Sequence, residues 1–380
     1  MTLRLRARLP RLAQWAPVML LVLLSACGTS EQYPQSTLFP KGDFARMVDG
    51  VFRTTLLWAF VVFVLVEGAL LWVIFRYRGK PGDPLPKQTH GNTTAEIIWT
   101  IVPALILAFI AVPTIRTIFR TYEVPKGDAL VVEVIGHQWW WEFRYPELGL
   151  VTAGELHVPI GRTVSLRMNT QDVLHSFWVP QFAAKRDVFP NRNTTLWFKA
   201  DTVGNYPGAC AEFCGIQHAR MKFRVRADTP AEFDAFVATL QASAGTTAMP
   251  TVAAAPAASG LQTASVGATV VADTTTKDST AMMAAPVVDP IVAEGKKLYL
   301  TKGCIGCHSL DATKPMGIGP NLAGIGTRSY IVAGTLENSD ANLAHWIAKP
   351  QEVKKGVLMV VPPMTESEAK ALVAYLRTHK

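Results

Sequence analysis

Cysteine is scarce in this chain, at five residues in 380, and none is left over for a structural disulfide once each is placed in its motif. Excess charge is missing too. The formal charge is +8, but residues 1–26 hold four Arg and no acid, so the remainder carries about +4. Nothing in that balance calls for nucleic acid. A third shortage is local: residues 243–288 have few charges and no aromatic ring. That composition excludes a packed core and reads as a flexible linker, placed at 241–288.

Against this background one segment stands out, CAEFCGIQHARM, with Cys210, Cys214, His218 and Met221 at spacings of four, four and three. Two thiolates, an imidazole and a thioether make a soft ligand set, which among the common metals selects copper. One Cys would suit a mononuclear site. Two Cys four apart can each bridge a pair of coppers, so that one electron is shared and little rearranges on transfer. His175, 35 residues upstream of Cys210, is the obvious second imidazole. The competing reading is a structural zinc site, which wants four Cys or His ligands and has no use for Met.

The other three cysteines fall in two further motifs. Cys27 ends Leu24-Ser25-Ala26-Cys27, behind Arg4, Arg6, Arg8 and Arg11 and an apolar run from Val18. This is a secretory signal over 1–26 of lipoprotein type, with Cys27 as the lipidated first residue. Cys304-Ile305-Gly306-Cys307-His308 is the c-type haem attachment pattern. Cys304 and Cys307 would hold the porphyrin covalently, with His308 as its proximal ligand. An exported chain with haem and copper is most simply an electron carrier.

Leu56–Phe75 is 20 residues with one charge, Glu67, and Ile97–Ile115 is 19 with none. Each is about 30 Å long as a helix, enough to cross the hydrocarbon core. The loop between them carries Arg76, Arg78, Lys80 and Lys87 against Asp83. It is therefore placed in the cytoplasm and the rest of the chain outside. The pattern predicts a hairpin over 27–119, with helices near 54–76 and 96–118. From 120 to 240 short β-branched runs such as 129–135, 155–159 and 163–168 are parted by Gly, Pro and Asn, as in a sandwich or barrel. The last part, 289–380, is helical, with Gly295 and Tyr299 on a first helix and Leu372, Tyr375 and Leu376 on a last one.

The hairpin, Glu96-x-x-Trp99-Thr100-x-x-Pro103, Gly136-His137-Gln138-Trp139, Asp172-Val173-Leu174-His175-Ser176 and the metal loop resemble subunit II of haem–copper cytochrome c oxidases. The tail resembles a class I cytochrome c fused to its end, as in caa3-type oxidases. The resemblance implies a two-helix transmembrane hairpin, a cupredoxin-like all-β Greek-key barrel and an all-α class I cytochrome c domain. It implies that Cys210 and Cys214 bridge two coppers, with His175 and His218 terminal and Met221 weakly bound. Glu212 would offer its carbonyl to copper and its carboxylate to magnesium at the subunit I boundary. Trp139 would be a surface ring through which electrons enter, although rings in a strand also pack a barrel. Glu96 would stand at the mouth of a proton path, or simply begin a solvated helix. Met359 lies 16 residues before Tyr375, the family's usual interval for the sixth haem ligand, and Met364 only 11. Val360 follows Met359 where the family usually has Pro.

The implied partners are subunit I, where dioxygen would be reduced with proton translocation, and subunit III. Cytochrome c or a quinol–cytochrome c oxidoreductase would be the donor. The implied location is a bacterial inner membrane, with copper and haem outside. The alternatives are the copper subunit of a nitric oxide reductase and a membrane-tethered carrier without a catalytic partner. Residues 119–240 carry 13 basic and 13 acidic side chains, so long-range steering of the haem domain is weak. A tether of about 45 residues spans roughly 35–40 Å, a millimolar effective concentration. Contact through an apolar patch around Trp139 is the expectation.

Overall fold

The computed structural model describes residues 17–18, 28–29, 32–79, 81–84, 87–88, 90–244, 289–315 and 318–380. Cys27, most of the signal and the linker beyond Ala244 lie outside the described residues.

Two long helices come first, α1 (Asp43–Arg76, 34 residues) and α2 (Thr93–Tyr122, 30 residues). Both are long and apolar enough to cross a membrane. Helix α1 starts eleven residues before the predicted 54 because its first turn is amphipathic and docks on the β domain. Phe44 is 2% exposed and meets Trp197 edge-on at 5.6 Å. The Asp43 carboxylate accepts the Lys199 N–H at 3.0 Å, and Arg46 pairs with Asp201. The membrane hairpin is thereby fixed to the outer domain rather than hinged to it.

Helix α2 is capped by Asn92, whose side chain accepts the Ala95 N–H. The Glu96 carboxylate reaches back to the Asn92 N–H at 3.3 Å. Glu96 is an exposed carboxylate in the first turn of α2. Pro103 and Pro113 lie inside α2, where neighbouring groups in a bilayer can satisfy the freed carbonyls. Glu67 lines the groove between the helices with Thr55, Trp58, Ile106 and Ile110.

Two five-stranded sheets form the next domain. One contains β1 (Ala129–His137), β2 (Trp140–Tyr145), β3 (Leu150–Ala153), β5 (Thr163–Thr170) and β8 (Thr194–Lys199), in the order β3-β2-β1-β5-β8. The other contains β4 (Glu155–Pro159), β6 (His175–Trp178), β7 (Arg186–Val188), β9 (Gly204–Cys210) and β10 (Lys222–Asp228), in the order β4-β10-β9-β6-β7. The parallel pairs β1/β5 and β10/β4 mark the crossovers between sheets. Alternating apolar residues meet between them, with Phe177 stacked on Phe223 at 4.5 Å and Trp141 edge-on to both. A Cβ at Gly208 would lie 2.2 Å from the Phe223 ring, so that position has no room for a side chain. Helix α3 (Pro230–Ala244) closes the barrel and runs four residues past the predicted boundary at 240.

The last domain holds α4 (Pro290–Thr301), α5 (Asp340–Ala348), the one-turn α6 (Pro350–Val353) and α7 (Glu366–Leu376). Helices α4 and α7 cross at Gly295, where a Cβ would sit 2.0 Å from the Ala371 carbonyl. Tyr299 and Tyr375, one from each helix, pack at 5.8 Å.

This domain sits on the β domain. Val151 N–H donates to the Ala312 carbonyl at 2.7 Å and Lys222 N–H to that of Ala333 at 3.1 Å. Glu155 accepts the N–H groups of Ser329 and Tyr330 at 2.7 and 3.1 Å, and the Arg224 guanidinium covers the Tyr330 ring. The contact expected as an apolar patch around Trp139 thus also carries hydrogen bonds, beside Ala312 and Ala323, which join the apolar core of the β domain.

One part of this interface is sensitive to pH. His157 Nδ1 lies 2.7 Å from Asp228 and its Nε2 3.8 Å from Glu155, while its ring stacks on Phe236. Burial pulls His157 down, but Asp228 and Glu155 outweigh it and hold the imidazolium above the ordinary 6.5. Burial likewise pushes Glu155 up, yet His157 and Arg328 keep it below 4.5. The His157 contribution is whole below 6.5 and lost as pH rises through the raised value; that of Glu155 is whole above 4.5 and lost in acid. Calorimetry of the full chain should show the outer portion melting lower as pH rises above 6.5. His157→Gln should flatten that alkaline limb, and an unchanged slope would refute the assignment.

Candidate metal centre

Strand β9 ends at Cys210 and β10 begins after Met221, so the loop 211–221 is held at both ends by one antiparallel pair. The Cys210 N–H donates to the Met221 carbonyl at 2.9 Å and brings the two sulfur residues side by side. Strand β6 lies on the other edge of β9, with Phe177 opposite Cys210, and this register delivers His175 to the loop.

The resulting cluster is tight. Cys210 Sγ is 3.8 Å from Cys214 Sγ and 3.8 Å from His175 Nδ1. Cys214 Sγ is 3.7 Å from both His218 Nδ1 and Met221 Sδ. The Glu212 carbonyl lies 3.2 Å from Cys210 Sγ, while the Glu212 side chain is exposed. His175, Cys210 and Cys214 are buried, and their ligand atoms lie within 4.8 Å of one another. The Cys210 thiol is held far below its ordinary value by the hydrogen bond from Cys214, with His175 adding to it. Two cysteines, two imidazoles and a thioether make a soft donor set; the two Cys and two His alone would also satisfy zinc, and the Met221 thioether is the donor that favours copper.

Several supports of this cluster carry no cofactor motif of their own. Asp172 Oδ1 lies 2.8 Å from His175 Nε2, which leaves Nδ1 free to face the sulfurs. Its other oxygen accepts the Gln138 N–H. Gly136 is needed because a Cβ there would lie 2.8 Å from the His175 ring. Gln138 Nε2 and Trp139 Nε1 both donate to the Cys214 carbonyl, at 2.7 and 3.0 Å. Trp139 is only 7% exposed. The resemblance implied a surface ring; here the indole is buried, packed against Gly215 of the metal loop and bonded to the Cys214 carbonyl. The segment after α6 meets its backbone, where the Lys354 Nζ donates to the Trp139 carbonyl at 2.8 Å.

At the second site Cys304 opens a 3-10 turn, Cys304–Gly306, and His308 N–H donates to the Cys304 carbonyl at 3.0 Å. His308 Nδ1 lies 2.8 Å from the Pro320 carbonyl. A carbonyl only accepts, so Nδ1 carries the proton and Nε2 is left for a metal. Gly319 is pressed against the ring, where a Cβ would be 2.8 Å from Cε1. Tyr299 Oη donates to the His308 carbonyl at 2.7 Å. Burial lowers His308 below 6.5, favouring the neutral, ligating form. Met364 packs on the domain's apolar core, whereas Met359 lies half-buried on the loop before it.

A membrane hairpin, a Greek-key barrel with a soft-metal loop and a CxxCH domain define a membrane-anchored electron-transfer protein. Residues 42–117 match the family of the cytochrome c oxidase subunit II transmembrane domain, 149–228 its periplasmic domain, and 292–380 the cytochrome c family. The chain is 33% identical to cytochrome c oxidase subunit 2 of Alkalihalophilus pseudofirmus, covering 97% of each. It is 32% identical to that of Bacillus sp. strain PS3, covering 95% of each. The periplasmic domain of subunit II of cytochrome oxidase from Bradyrhizobium japonicum is 32% identical, covering 31% of this chain and 96% of that one, with a TM-score of 0.30. The chain belongs to the cytochrome c oxidase subunit II family, in the caa3-type form that ends in a cytochrome c domain. It is a subunit of a haem–copper oxidase, and its family implies both a binuclear copper centre and haem c.

Proposed function

We propose that this subunit receives electrons on a haem bound by Cys304, Cys307, His308 and Met359 and delivers them through a binuclear copper centre to subunit I. Cys210 and Cys214 would hold the copper pair through their sulfurs, His175 and His218 through their imidazoles, and Met221 and the Glu212 carbonyl would be its weaker donors. The copper pair supplies one-electron storage spread over two metals. The observation that carries this reading is the contact of both thiols with each other and each with its own imidazole, at 3.7 to 3.8 Å.

The chain's own residues do the rest. Asp172 fixes the tautomer and tilt of His175, and the Pro320 carbonyl does the same for His308. The rings of Trp141, Phe177 and Phe223 seal the copper loop from the barrel side and limit rearrangement on reduction. The exposed carboxylate of Glu212 would be available to a magnesium ion at the subunit I boundary. Exposed Glu96 stands where a proton path into subunit I would open. In this reading subunit I reduces dioxygen and translocates protons, and subunit III completes the complex. Cytochrome c or a quinol–cytochrome c oxidoreductase feeds the haem from the outer face of the inner membrane. Cys27 carries a lipid.

The full chain expressed without subunit I should bind two coppers for each haem and show a mixed-valence copper resonance. Met221→Leu should keep both coppers but shift the copper potential, as expected of a weak ligand. One zinc and no copper in metal analysis would sink the proposal.

A further inference from the structure

Lys354 has no part in the chemistry above, yet it is the most deeply buried lysine among the described residues, at 2% exposure. It stands directly after α6, five residues before Met359 on the same loop. Its Nζ donates to two carbonyls of the other domain, Trp139 at 2.8 Å and Arg220 at 3.1 Å. Those two carbonyls are not arbitrary. Trp139 is the residue whose indole N–H is bonded to Cys214, and Arg220 immediately precedes Met221.

The flanking contacts point to the same place. Gln217 Nε2 donates to the Lys355 carbonyl at 2.5 Å, and the Arg220 guanidinium donates to that of Val353. Gly356, at φ +81°, lies so close to Ile216 that a Cβ would be 2.2 Å from its side chain. The segment 353–356 therefore seats against the copper loop at four successive residues, and Lys354 is its central anchor. A buried ammonium is costly unless it is hydrogen-bonded, and carbonyls so placed are left without donors if it is removed.

We propose that Lys354 is a positioning residue that pins the haem domain onto the copper loop and fixes the route between the two redox centres. The proposal rests on the copper and haem reading above. In the pinned arrangement one continuous hydrogen-bonded path runs from the haem-side loop through Lys354 and Trp139 to the Cys214 backbone. A second runs through Arg220 to Met221. Lys354 selects one orientation of the haem domain on the copper loop.

The test is internal electron transfer in the intact oxidase complex, followed by flash reduction of the haem. Leaving two buried carbonyls without their donor commonly shifts an interface equilibrium by about tenfold or more. Lys354→Met should therefore slow haem-to-copper transfer by about tenfold or more, with both spectra unchanged. Lys354→Arg keeps the cation and should recover much of the rate. Lys355→Met removes the same charge from an exposed neighbour and should leave the rate alone. Wild-type transfer in Lys354→Met with intact spectra would overturn the pin and leave the copper reading standing. Loss of copper in that variant would also overturn it, because a pure positioning residue leaves the metal bound. Absence of a binuclear copper spectrum in the wild type would sink the copper reading, and the pin with it.

Discussion

Replacing Cys210 by Ser is expected to erase the mixed-valence copper signal and to reduce oxidase turnover by well over 100-fold. The remaining thiolate, Cys214, would leave the pair with one sulfur bridge where two are needed, and a serine hydroxyl is too hard a donor to replace the other. Its partner His175, 3.8 Å from Cys210, would also lose the sulfur it faces. Cys214→Ser should be equally severe, since Cys214 Sγ touches Cys210, His218 and Met221 together. The informative contrast is Asp172→Asn, which keeps every direct donor. Loss of such an outer partner typically costs about 10–100-fold in metal affinity, so this variant should be weakened rather than dead. Equal losses for Cys210→Ser and Asp172→Asn would show that the loop needs its fold and not its thiolates. Copper content, the resonance signal and turnover of the purified complex separate these outcomes.

Met359→Ala is expected to abolish the six-coordinate low-spin spectrum of the reduced haem and to lower its potential, because a Met axial ligand raises it. Met364→Ala should leave the spectrum intact. Met364 packs half-buried on the core formed by α4 and α7, so its removal should appear as lost stability. A fully buried Met→Ala change costs roughly 2–5 kcal/mol, and half-burial brings that to about 1–2 kcal/mol. Met359 has no such packing role to lose. Its loop is instead held by Gln351, whose Nε2 donates to the Val357 carbonyl at 2.7 Å. Reversed outcomes would make Met364 the ligand and give Val360, in the place of the usual Pro, its meaning.

The chain as a sequence already pointed to its family, and with it to a membrane hairpin, a β domain and a cytochrome c domain whose family implies copper and haem c. Cys210, Cys214, His218 and Met221 lie within twelve residues, and Cys304, Cys307 and His308 within five, so spacing alone announces both sites. The membrane spans were equally legible, because hydrocarbon selects on length and composition. Their ends were not: the first turns of α1 are set by Asp43 and Phe44 docking on a strand over 150 residues away. The same limit explains the rest of what was missed. Gly136 matters because the His175 ring packs over it, and Trp139 is buried because its indole meets the metal loop at Cys214 and Gly215. Glu155 is an interface acceptor only because Ser329 and Tyr330 present their N–H groups to it. Ligand identity is a property of the side chain and survives in a linear text. Which groups share a buried surface depends on contacts between distant segments, which leave no periodicity to read, and only tertiary packing decides them.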